Sequence, residues 1–144
     1  MVDQVDDAFV KQISDLVVDN IQLGDCGEVK CTPATALEKL DGMLPKEMTR
    51  IVIERAAGSA FAEFCGKDWT RRSFASLLTR EQLSGCWSER QLAAIEVTHS
   101  LALLFYRKSL PNELQSCSAE LDAHVESYLT ELRKVAKRRE CPRW

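Results

Sequence analysis

Histidine and glycine are both scarce, with two copies of the first (His99 and His124) and six of the second in 144 residues. Two histidines so far apart make no H-E-x-x-H zinc motif, and the few glycines form neither a phosphate-cradling loop nor a dinucleotide fingerprint. A G-x-S-x-G nucleophile elbow is missing as well. No apolar run approaches the ~18 residues that a membrane span needs. Internal repeats, low-complexity tracts and Pro/Gly-rich linkers are absent, so nothing divides the chain. No window alternates strictly between apolar and polar residues, and strands are therefore not expected. The N-x-S/T glycosylation acceptor is absent too, and the first residues are acidic where a secretory leader would be basic.

What is present is apolar content at helical spacing. Hydrophobic residues make up 45% of the chain, enough for one domain of this length to bury a core. The net charge of −3 argues against a general nucleic-acid coat, yet the charge is uneven. Residues 1–30 carry seven acids against two lysines, a balance of −5, whereas residues 131–144 carry six cations against two acids, a balance of +4. Six cysteines stand at 26, 31, 65, 86, 117 and 141. Cys65 and Cys117 fall at apolar positions of helical patterns, which reads as buried free thiols in a reducing, intracellular compartment, cytoplasmic or nuclear.

Val5, Phe9, Ile13, Leu16, Val17 and Ile21 recur every three or four residues and predict an amphipathic first helix ending at Gly24. Residues 24–32 read as a loop. A short helix carrying Leu37, Leu40 and Met43 follows, capped by Thr35 with Glu38 or by Thr32 with Pro33 at the first helical position. A longer helix is expected from about Lys46 to Cys65, with Gly66 as its stop. Two capping boxes, Thr79 with Gln82 and Ser88 with Gln91, predict helix starts near 80 and 89. The second helix runs to about Lys108, and its stretch Val97 to Tyr106 is apolar nearly all round, the signature of a central helix with Leu101 and Leu104 inside. Pro111 is expected to start the last helix, whose seam is Leu114, Ser118, Leu121, Val125, Tyr128, Leu132 and Val135 at a/d spacing. The fold class is thus all-α, an irregular bundle of six or seven helices with an apolar central helix (about 89–108) and a long C-terminal helix (about 111–138). The expected domain spans 1–144, with a short basic tail at about 139–144.

Residues with chemical potential are few. Cys26 and Cys31 are the one close cysteine pair, without a second pair or a nearby histidine, so no metal site is expected. His99 lies inside the apolar helix and reads as a hydrogen-bonded structural residue; His124 reads as an interface or solvent residue. Trp69 and Trp87 sit at helix starts and read as junction staples. Arg71 and Arg72 read as recognition residues or plain surface. The basic patch of Arg133, Lys134, Lys137, Arg138, Arg139 and Arg143 suits the negative end of a helix dipole or a phosphate partner. Trp144, a large apolar side chain on a tail, reads as a docking group or as a frayed end.

The stretch from about 50 to 115, with "LLTREQLSGCWSERQ" between helices and "RKSLPNEL" after them, is similar in pattern to the helical N-terminal domain of COMM-domain proteins. The sequence contains no COMM domain, and the resemblance transfers no function. "KDWTRRSF" resembles the Asn-Trp-Gly-Arg element of Bcl-2-like proteins, with the Asn and Gly replaced.

Strong packing signals beside absent chemical ones point to a protein-protein interaction module, an adaptor or scaffold subunit and not an enzyme, without catalytic residues, metal or cofactor. Its partner is expected on a helix-lined groove or on the last helix, at Tyr128, Leu132, Val135 and Trp144, and a second copy of the chain is one such partner. The alternative is a nucleic-acid-associated protein using the basic end; a third reading is an enzyme with a cysteine nucleophile.

Overall fold

The computed structural model describes residues 5–134 and 140–143, with the backbone alone at residues 112 and 113. Six α-helices form an irregular all-α bundle: α1 (Asp7–Asn20), α2 (Ala36–Asp41), α3 (Lys46–Phe64), α4 (Ser76–Ser84), α5 (Glu89–Glu113) and α6 (Ala119–Lys134). A 3-10 turn (Ile21–Leu23) extends α1, and a π-helical segment (Thr70–Ala75) leads into α4. Helix α3 is the long scaffold, and α5 lies along it; α1 and α4 pack on α5, and α6 on α3 and the π segment. Met48, Val52, Ile53 and Ala56 of α3 meet Ala94, Ile95 and Ala102 of α5 in the main core, all closed to solvent. Ala62, Val125 and Leu129 form a smaller second core under α6.

The helix ends follow from capping. Asp6 accepts from the Phe9 amide at 2.8 Å to open α1. Both halves of the Thr35/Glu38 box are made, so of the two candidates for α2 the Thr35 start is the one used. The Ser88/Gln91 box opens α5 as expected. Gly66, at φ +70°, takes the left-handed conformation that ends α3.

Six expectations are corrected. The Thr79/Gln82 box opens nothing, because the backbone is already helical from Trp69 and Thr79 lies exposed in mid-helix. The helix begins instead at Asp68, whose carboxylate accepts from the Arg71 amide at 3.3 Å. Pro111 does not start the last helix; it lies in the final turn of α5. Ser118 caps α6, accepting from the Leu121 amide at 3.1 Å, so Leu114 and Ser118 are outside the seam helix. The central helix keeps Ala102, Leu103 and Leu110 buried beyond residues 93–99, but Leu104 and Phe105 are 48% exposed, and this half of α5 has a wet face. Residues 24–32 hold a two-stranded antiparallel ribbon, β1 (Asp25–Cys26) and β2 (Val29–Lys30), whose two-residue strands are too short to leave a periodicity. Finally, all six cysteines are paired, as Cys26–Cys31, Cys65–Cys117 and Cys86–Cys141, which overturns the reading of free thiols.

Candidate functional site

The small residues Ala56-Ala57-Gly58-Ser59-Ala60 let other elements approach α3 closely, and a buried polar cluster forms beside them. The Ser59 hydroxyl lies 2.8 Å from Nε2 of His99 and 2.6 Å from the Ser73 hydroxyl, and it donates to the Arg55 carbonyl at 3.1 Å. Arg55 donates through Nη1 to the Ser73 carbonyl at 3.0 Å. Trp69 stacks on the His99 ring, and Phe74 leans on it with centroids 4.6 Å apart. Burial, with the Arg55 cation nearby as a smaller cause, pushes the His99 pKa down to about 3, so the ring is neutral. Ser59, Ser73 and His99 are all fully enclosed, which keeps a solvent-borne substrate from this Ser–His pair. His99 Nδ1 has no acidic partner among the described residues to orient it as a base. The cluster locks α3, α5 and the π segment together, in line with the reading of His99 as a hydrogen-bonded structural residue.

The seam of α6 is likewise taken up within the chain. Val125 and Leu129 are fully buried on Ala62, with Leu121, Tyr128 and Leu132 half-covered around them. The Tyr128 ring fills the notch at Gly58, where an added Cβ would lie 2.3 Å from Cε1. Tyr128 is thus packed within the chain, against α3. Arg72 forks onto Glu126 at 2.8 and 2.9 Å, with Lys67 beside it, and fixes α6 from the other side. Hydrogen bonding from Arg72 holds the Glu126 pKa down at about 2. Of the basic patch, Arg133, Lys134 and Arg143 are exposed, Lys134 pairing with Glu131 at 3.2 Å. Val135, Lys137, Arg138, Arg139 and Trp144 lie outside the described residues.

One element turns its apolar side outward. No residue of α2 is buried, and Leu37 and Leu40 are 66% and 81% exposed; of the three apolar residues noted there only Met43, just past the helix, is enclosed. The helix is held by its polar side instead. Arg90 of α5 donates to both Glu38 oxygens at 2.7 Å and to the Thr32 and Pro33 carbonyls at 3.1 and 3.0 Å. These Arg90 bonds hold the Glu38 pKa down at about 2. Between α2 and the start of α5 runs a cleft of about 410 Å³, with Leu37, Asp41 and Met43 on one wall and Ser88, Arg90 and Gln91 on the other. Sequence reasoning missed this site because 3- and 4-residue apolar spacing marks a face without saying which way it points. Arg90, whose partners lie more than fifty residues away, left no local trace.

The sulfurs of Cys65 and Cys117 lie within 4.8 Å of an Asp122 carboxylate oxygen, but they are joined to each other and Asp122 is bound by Lys67 at 3.1 Å. A cystine offers no thiolate, so this group is no metal site while oxidised. Among the described residues, no helix is long and apolar enough to cross a membrane. The sequence matches no family model, no curated protein and no solved structure.

Proposed function

We propose that the chain is a helical protein-protein interaction module that receives an apolar segment of its partner on α2 and the adjoining cleft. The observation that carries this reading is the outward pair Leu37 and Leu40 on a helix with no buried residue. Burying a leucine is worth about 1.5–3 kcal/mol, so a helix that binds its polar face to the body and leaves both leucines in water forgoes that stabilisation until something covers it. The cleft beside it offers a mixed lining, with apolar Leu37 and Met43 for packing and Ser88, Gln91 and Asp41 for orientation. The titratable groups of the interior support the same reading, because the histidine best placed for chemistry is enclosed and neutral. Three cystines favour a compartment in which disulfides persist, in place of the reducing one that free thiols would have implied.

The test is affinity purification of the non-reduced protein from its own source beside Leu37→Glu and Leu40→Glu variants. Both variants should keep the wild-type melting temperature, since the side chains are exposed, and lose a partner that wild type retains in stoichiometric amount. Retention of every associated protein by both variants would remove α2 from the account.

A further inference from the structure

Helix α3 ends where α6 begins, and the junction gathers metal-binding chemistry. Cys65 caps the C-terminus of α3, Cys117 stands next to Ser118, the residue that caps α6, and Asp122 lies in the first turn of α6. The two sulfurs and a carboxylate oxygen of Asp122 lie within 4.8 Å of one another, the one such convergence of three His, Cys, Asp or Glu side chains among the described residues. All three side chains are half-buried, so a small reagent reaches them. In the oxidised chain the sulfurs are joined to each other. Asp122 is held in place independently of that bond: Lys67 Nζ lies 3.1 Å from its Oδ1 and 3.3 Å from its Oδ2. Glu126 shares the same ammonium at 3.5 Å and is itself bound by Arg72.

We infer that Cys65, Cys117 and Asp122 are the protein ligands of a redox-gated zinc site, which becomes available to the ion when a dithiol reduces the Cys65–Cys117 disulfide. A thiolate of the dithiol attacks one of the two sulfurs, the bond between them breaks, and the other cysteine leaves as a thiolate and takes a proton. The second thiol of the reductant then displaces the first cysteine. The reductant ends as a disulfide, and two electrons and two protons have passed to the protein. Binding of Zn2+ releases the two thiol protons to solvent and forms two Zn–S bonds and one Zn–O bond. Tetrahedral zinc sets such ligand atoms about 3.6–3.8 Å apart. Side-chain rotation reaches that separation, because the Cα atoms of the two cysteines are 5.2 Å apart. Two sulfur ligands select zinc over magnesium or calcium, which take oxygen ligands. The charges balance as well: two thiolates and a carboxylate face the two positive charges of the ion and the one on Lys67, which keeps one Asp122 oxygen while the other turns to the metal. Water completes the fourth position. The junction of α3 with α6 is then tied by a covalent bond under oxidising conditions and by zinc under reducing ones.

The test uses the full-length protein, reduced with a phosphine that is removed under argon, and then given Zn2+ or Co2+ alone. The reduced chain should retain one equivalent of zinc and the oxidised chain none. Alkylation followed by peptide mapping should find Cys65 and Cys117 protected by zinc, while the other four cysteines label equally with and without it. Cobalt in place of zinc should give the thiolate-to-metal absorption of a tetrahedral site, and zinc should raise the melting temperature of the reduced chain, since it binds the folded form. Asp122→Asn keeps both cysteines and should weaken zinc binding by about tenfold or more, because even a group that only supports a ligand contributes that much. Should that variant fail to fold, the protection pattern in the wild-type chain decides alone. Equal retention of zinc by the oxidised chain, protection of another cysteine pair or of none, or undiminished affinity in a folded Asp122→Asn would each overturn the site.

Discussion

A single hydrogen atom at Gly58 decides how closely α6 approaches α3. Alanine is the better helix former by about 1 kcal/mol, yet here its methyl group would land inside the Tyr128 ring. Gly58→Ala should therefore destabilise the protein by about 1–3 kcal/mol in urea titration, and the same change in a Tyr128→Ala background should be neutral or stabilising. At His99 the relevant variable is pH. The ring is neutral in the folded state with its pKa pushed down to about 3, against 6.5 when exposed. Between those values the unfolded chain binds the extra proton, so this contribution is complete above pH 6.5 and is lost as pH falls toward 3. Urea midpoints should start to decline just below pH 6.5, and His99→Gln should flatten that first part of the decline. The sequence identified His99 as structural from its apolar neighbours, but Ser59, Ser73 and Arg55 carried no signal except the run of small residues from Ala56 to Ala60, which marks a close approach without naming what approaches.

At the scale of elements, identical letters acted differently according to what preceded them. Ser88 and Thr79 both head complete capping boxes, but Ser88 follows a turn at Gly85 and starts a helix, whereas Thr79 lies in a helix already running from Asp68. Asp68→Ala and Ser88→Ala should each cost about 1 kcal/mol, and Thr79→Ala close to nothing, as melting temperatures will show. Pro111 was ambiguous for a related reason, since the ring fits a first helical turn and here closes a last one. The seam of α6 was legible from its spacing, and its direction was not. Because Leu121 and Leu132 flank the same buried pair, alanine at either should lower the melting temperature, and Leu129→Ala, fully buried, should cost ~2–5 kcal/mol.

Across the whole molecule, the bundle class and the central helix could be read from periodicity, because core burial imposes it on the helices that line the core. Cysteine pairing could not, since an apolar position at Cys65 or Cys117 suits a thiol and a cystine equally. Opening the 52-residue span of Cys65–Cys117 by paired serine substitution should cost about 4 kcal/mol, read as a lowered denaturant midpoint. Two arginine forks bind distant elements as well, Arg90 on Glu38 and Arg72 on Glu126. Both glutamates titrate near 2 in the fold against 4.5 free, so their contribution is present above pH 4.5 and disappears between there and pH 2, a second acid step below that of His99.

The outward leucines of α2 remain the central claim, and a photo-crosslinking residue placed at position 40 tests it most directly. Introduced into the non-reduced protein in its own source, it should yield one adduct of fixed mass, while the same residue at position 120, 88% exposed on α6, should yield none. No adduct at position 40, or the same adducts from both positions, would contradict the assignment of α2 as the surface on which this protein works.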